Sequence, residues 1–199
     1  MRENRLKLSY GNTKLPKTTA IFNMGSAIDC PSDKLGLCQL ANSSQCYAKK
    51  AEKMYKQVLP YRRAQAKYWL ECTPSLYFFD FLTAINRKRN PIRALRFNES
   101  GDFYSQACVD KLSKIADLLA TIKVKVYTYT ARRDLDYSNI SDNLTVNGSG
   151  YMADNMFIAL PAKLYDKSDK KGFIPCPMDC NKCSLCTRKA GKVIAVKMH

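Results

Sequence analysis

An α/β domain on a mainly parallel sheet, followed by a cysteine-rich C-terminal segment, is what this sequence predicts. Three observations carry that expectation. Strand-like and helix-like stretches alternate along the chain. Seven of the nine cysteines fall into two groups, one early and one near the end. No apolar run approaches the roughly 18 residues that a membrane-spanning helix needs, so the chain reads as soluble.

The elements follow in order. Residues 1–18 are basic and polar, with Gly11 and Pro16, and read as an N-terminal arm. Thr19 to Phe22 is a short strand. Residues 23–46 carry Gly25, Pro31, Gly36, Asn42 and Ser43 and read as a loop. Tyr47, Ala51, Met54, Tyr55, Val58 and Leu59 recur at helical spacing, with Lys49, Lys50, Lys53 and Lys56 off the stripe. Pro60 is expected to break or kink that helix. The pattern resumes through Tyr61, Ala64, Tyr68, Trp69 and Cys72. Thr73 and Pro74 then look like the cap and first residue of another helix, ending near Arg87.

Beyond Pro91 the pattern becomes alternation. Ile92 to Phe97 is a strand and Ser100-Gly101-Asp102 a turn. Cys108, Leu112, Ile115 and Leu119 mark a helix. Val124 to Thr130 is β-branched and aromatic, hence a strand. Leu144 to Val146 and Met156 to Leu160 are strands around Asn147-Gly148-Ser149-Gly150. Residues 162–175 are a Lys/Asp-rich loop, and Lys192 to Val196 is a terminal strand. The organisation expected is an arm (1–18), an α/β domain (19–161) and a cysteine-rich segment with its strand (162–199). No internal repeat or low-complexity tract is present.

The N-terminus has no apolar signal region, which points to the cytoplasm, where cysteines stay reduced. Clustered thiols there hold metal or do chemistry. Cys176, Cys180, Cys183 and Cys186 form a C-x3-C-x2-C-x2-C run, four thiols within eleven residues. Such a run suits an iron–sulfur cluster better than zinc, whose sites come as separated pairs, but zinc remains the alternative metal. Cys30, Cys38 and Cys46 are spaced C-x7-C-x7-C. Three thiolates would leave one iron of a 4Fe-4S cluster open to a substrate or cofactor. One cluster or two are therefore expected. Cys72 and Cys108 fall on apolar helical stripes and read as core.

Small and polar residues follow three strands: Asn98 to Asp102, Thr130 to Asp134 and Asn147 to Gly150. Each alone reads as a turn. Together, at the carboxyl ends of parallel strands, they mark a ligand site. Glu99, Ser100, Gly101, Asp102, Asn147, Gly148, Ser149 and Gly150 are its candidate residues. No catalytic residue is assigned, and because His199, the one histidine, sits at the end of the sequence, no histidine-based triad or histidine-rich metal site is expected. The formal charge of +16 favours a polyanion, with nucleic acid the usual one. The aromatic and basic residues between Tyr47 and Trp69 could stack bases. Their phase with the apolar stripe favours a core helix with a solvated face.

Several pieces together resemble the phage "gene product eighty-eight" family. They are Lys14 to Thr18, the Cys30, Cys38, Cys46-Tyr47-Ala48 series, Arg96 to Phe103, Val126 to Thr130 and the final four-cysteine run. A weaker similarity links the chain to radical S-adenosylmethionine enzymes. Those hold a 4Fe-4S cluster on three cysteines after the first strand of a partial (β/α) barrel. The similarity implies a barrel-like sheet and S-adenosylmethionine as cofactor. It assigns Glu99 to Asp102 to the cofactor's amino group and Asn147 to Gly150 to a later cofactor loop. The C-terminal run would be an auxiliary cluster. The expected protein is thus a phage iron–sulfur enzyme of the host cytoplasm, acting on nucleic acid or nucleotide. The alternative is a non-enzymatic iron–sulfur or zinc protein that binds nucleic acid or a host factor.

Overall fold

The computed structural model describes residues 5–86 and 88–198, so His199 lies outside the described residues. The strands are β1 (Ser9–Tyr10), β2 (Thr19–Phe22), β3 (Ala94–Phe97), β4 (Lys125–Thr130), β5 (Leu144–Ser149), β6 (Asn155–Leu160), β7 (Ile174–Pro175) and β8 (Val193–Lys197). The helices are α1 (Pro31–Lys34), α2 (Tyr47–Met54), α3 (Val58–Glu71), α4 (Pro74–Ile85), α5 (Gln106–Ala120) and α6 (Ala162–Tyr165). Among the described residues no helix is long and apolar enough to cross a membrane.

One eight-stranded sheet runs β1-β2-β3-β4-β5-β6-β8-β7. Only the β1–β2 pair is antiparallel. The parallel strands β2 to β6 lie in chain order, so every carboxyl end from β2 to β6 falls on one edge. The mainly parallel α/β sheet is as expected. Its edges, β1 and β7, are short.

Alternation sorts the strand residues onto two faces. Ala20, Phe22, Leu95, Phe97, Val126, Leu144 and Val146 share one face and meet the apolar sides of α3, α4 and α5. The Phe97 ring centre lies 5.2 Å from Phe22, 5.3 Å from Trp69 and 5.6 Å from Tyr77. Burying each such ring is worth about 2–3 kcal/mol, with further gain from edge-to-face contact. Cys72 and Cys108 are buried in this core. Ile21, Arg96, Tyr127, Tyr129 and Asn147 point to the second face.

Several element expectations need correction. The segment read as an arm contributes β1, and Leu6, Leu8 and Tyr10 pack against the core, because their alternation gives the sheet an apolar edge. The helix at Tyr47 ends at Met54, upstream of Pro60, which instead sits third in α3. Proline is tolerated there because first-turn N–H groups have no helical acceptor. The stripe of Tyr47, Met54 and Tyr55 does not face the core. All three are exposed, while Ala48 and Glu52 are buried. Buried donors that need the Glu52 carboxylate turn α2 that way round. Asn147, Gly148 and Ser149 extend β5 rather than forming a loop, and β6 pairs with them after a five-residue connection at 150–154. So short a parallel link is possible because the two strands overlap by only three residue pairs.

Candidate metal centres

The first cysteine group crosses the carboxyl edge of the sheet. Cys30 caps α1 and Cys46 caps α2, both in extended conformation, and each carbonyl starts its helix, by Lys34 N–H to Cys30 O at 3.1 Å and Lys50 N–H to Cys46 O at 3.1 Å. Pro31 at the first position of α1 suits that junction. Glu52 organises the approach. Its carboxylate accepts from the backbone N–H of Ala27 at 2.7 Å and Ile28 at 3.1 Å, and pairs with buried Arg62 at 2.8 Å.

The cysteine loop is tied to the ends of three strands beyond its own. Ser32 donates its hydroxyl to Asp102, which also accepts from Ala131 N–H at 2.9 Å. Ser100 donates its backbone N–H to Asn23 Oδ1 at 3.0 Å and its hydroxyl to Gly25 O at 2.7 Å. The Tyr47 hydroxyl, next to Cys46, donates to Glu99 O. Gln39 donates to Ser149 Oγ at 3.2 Å and Phe157 O at 3.1 Å. Loops after β2, β3, β4 and β5 therefore meet around the three thiols.

Burial pushes the Cys30 thiol up to about 12, with the Asp102 charge adding to the rise. Cys38 is raised by burial too, and Cys46 and Asp102 push in the same direction. Asp102 itself is raised by burial, against the hydrogen bonds that favour its charge. Desolvation therefore favours the protonated form of both thiols.

The second cysteine group lies against the amino ends of β2, β3 and β4 and the second face. Cys176, Cys180, Cys183 and Cys186 line one cavity of about 500 Å³ with Thr19, Ala94, Lys125 and Tyr127. Asn147 Nδ2 donates to Cys186 O at 3.0 Å, and Asn155 Nδ2 donates to Arg188 O at 2.8 Å. Cys180 N–H donates to Lys14 O at 2.9 Å. Cys186 is raised to about 11 by burial, against a hydrogen bond from Tyr129. Among the described residues, no three His, Cys, Asp or Glu side chains converge as a ready site for a single metal ion.

A family model described as Gene product 88 matches residues 2–173. The chain belongs to that family. No curated protein and no solved structure matches it. The Gene product 88 match contains Cys30, Cys38, Cys46 and every strand-end candidate, and it ends three residues before Cys176. The terminal run therefore lies outside the span matched to Gene product 88.

Within this family member, Glu99 to Asp102, Ser149 and Gly150 stand beside the first cysteine group. Asn147 does not. Its side chain spans the second face, donating to Thr128 O at 3.0 Å and accepting from Asn155 at 2.9 Å. Gly148 accommodates Tyr151, whose carbonyl would lie 2.3 Å from a Cβ there. Asn98, at the head of the first strand-end stretch, and Arg96 are not among the eight named candidates. Asn98 is left-handed, φ 62°, with a buried Oδ1 that has no partner. Asparagine is among the side chains that tolerate that conformation, and its orphan acceptor lies at the carboxyl end of β3. The Arg96 guanidinium stands 5.0 Å from the Tyr129 ring, and its buried Nε makes no hydrogen bond. A lone arginine within a buried parallel strand was the signal available for it.

Proposed function

We propose that this is an iron–sulfur protein that works as a radical S-adenosylmethionine-like enzyme on nucleic acid or nucleotide. The observation that carries the cluster is the cavity of about 500 Å³ lined by all four C-terminal cysteines. A single zinc ion draws four thiolates to about 2.3 Å of one point. Thiols distributed around a hollow suit a polynuclear centre. Such a centre on four thiolates is anionic, and Arg96 lies on the same face as Tyr127, its partner in register, which lines the hollow. The donor set and the neighbouring cation fit the group.

The enzyme reading rests on the first cysteine group. Cys30, Cys38 and Cys46 would hold a cluster there, and it would supply one-electron reduction when bound. The chain's own residues do the rest. Ser32 and Asp102 hold the loop against β3 and β4, and Gln39 holds it to β5. Asn98 Oδ1 offers an acceptor to an incoming N–H. The strands in chain order, with α3, α4 and α5 on one face, support a partial (β/α) barrel reading.

Anaerobic reconstitution, with iron and acid-labile sulfide counted per chain, tests the cluster. Sulfide should accompany iron, and a protein that takes only zinc would refute it. Adding S-adenosylmethionine to the reduced protein should change its electron paramagnetic spectrum, and Cys46→Ser should abolish that change. If the spectrum stays the same with the wild type, the enzyme reading is lost.

A second reading has one observation in its favour. Asn147 and Asn155 fasten the terminal run over the second face. That placement suits a staple, so a non-enzymatic protein with structural or redox-sensing clusters is the alternative.

A further inference from the structure

We propose that the surface formed by the cysteine loop and α2 binds single-stranded nucleic acid and presents it to the carboxyl edge of the sheet. The inference deepens the nucleic-acid part of the proposed function and does not depend on either cluster.

Apolar exposure is concentrated there. Of ten exposed large apolar side chains among the described residues, five fall between 28 and 55: Ile28, Leu35, Tyr47, Met54 and Tyr55. The other five are scattered over separate elements. Tyr47 and Tyr55 are 49% and 51% exposed, so each ring offers a face to a partner. Tyr47, Lys50 and Met54 are spaced i, i+3, i+7 and share one side of α2, opposite buried Ala48 and Glu52.

The charge on this surface is one-sided. The stretch 28–56 holds three acids, and each is neutralised within the fold. Asp29 pairs with Arg63 at 2.7 Å, Asp33 with Lys49 at 2.7 Å and Glu52 with Arg62 at 2.8 Å. Lys34, Lys50, Lys53 and Lys56 are exposed and form no ion pair among the described residues. Four free cations interleaved with two open phenol rings match a strand with regular phosphates and unstacked bases. An acidic peptide would satisfy the lysines but would leave the rings without stacking partners. A duplex keeps its bases stacked on each other.

The test is fluorescence anisotropy of the purified full-length protein with fluorescein-labelled oligothymidylate, the matching duplex and an oligoglutamate. Variants are Tyr55→Ala, the pair Lys50→Glu with Lys53→Glu, and, as a charge-matched control, Lys170→Glu with Lys171→Glu. All these positions are exposed, so folding is not at stake. The single strand should bind tightest. Tyr55→Ala should weaken it roughly tenfold. The Lys50/Lys53 pair should weaken it and flatten the salt dependence, by about one slope unit per lysine, while the control retains both. If the control loses as much as the Lys50/Lys53 pair, or Tyr55→Ala loses nothing, binding is elsewhere and the proposal is overturned while the nucleic-acid reading survives. Tighter binding of oligoglutamate overturns it in favour of an acidic protein partner. If no nucleic acid binds at all, both fall.

Discussion

Gly101 stands directly on the backbone of Gly25. A Cβ at position 101 would lie 2.7 Å from the Gly25 nitrogen, and Gly101 itself has φ 77°. The contact seats the loop after β3 on the start of the cysteine loop, beside the Ser100–Gly25 hydrogen bond. Glycine here lets two segments of the chain meet.

Gly101→Val should therefore destabilise the fold. The left-handed conformation alone costs a side chain about 1–3 kcal/mol, and the clash adds to it. Thermal melting of the metal-free protein measures this. An unchanged melting temperature would show that the contact is dispensable.

Cys180→Ser combined with Cys183→Ser should remove metal from the terminal run and lower the melting temperature of the reconstituted protein, since bound metal adds to folding stability. The three-cysteine group sits at the other end of the strands and should keep its own signal. Full metal content in the double variant would mean that the run is not a site.

Arg96→Met should weaken metal retention at the run by roughly tenfold to a hundredfold, the usual effect of losing a neighbour that supports the ligands. Arg96→Lys should restore part of it, because the charge remains. Competition with a chelator gives the affinity. Equal retention in all three proteins would assign Arg96 to stacking on Tyr129 alone.

Arg132 grips Asp134 through two bonds, Nε to Oδ1 at 2.8 Å and Nη2 to Oδ2 at 2.8 Å, and holds its carboxyl below the ordinary value of 3.8. A lowered acid contributes stability that is fully present above the ordinary value. That stability is lost as pH falls through the lowered one. The contribution is small, since the Asp134 side chain is 42% exposed. In Arg132→Met, carbon NMR titration should find Asp134 shifted upward, though the nearby Arg133 charge and a backbone hydrogen bond still favour its ionised form. A titration as low as in the wild type would place the cause elsewhere.

Much of this protein was legible from its residues alone. Short apolar, β-branched and aromatic runs located β2, β3 and β4, and helical spacing located α5, because each element packs apolar side chains into one common core. Thr73 announced the start of α4, and its side chain does accept from Leu76 N–H at 3.2 Å. The cysteine spacings divided the thiols into two candidate centres and a buried pair. Family membership was readable in the same motifs.

Only the tertiary structure decided which faces and ends these groups occupy. The stripe on α2 was read as core because periodicity records apolar spacing and is blind to a buried carboxylate. Glu52, drawn inward by Arg62 and two backbone N–H groups, turns Tyr47 and Met54 outward. Asn147 looked like a loop residue for a similar reason, since its place in β5 depends on acceptors and donors at Thr128, Asn155 and Cys186, far away in sequence. The four terminal thiols share a hollow with the amino ends of strands more than fifty residues upstream of them, and the first three sit at the opposite end. Local sequence determines which element forms. Long-range hydrogen bonds and buried charge determine which way it faces.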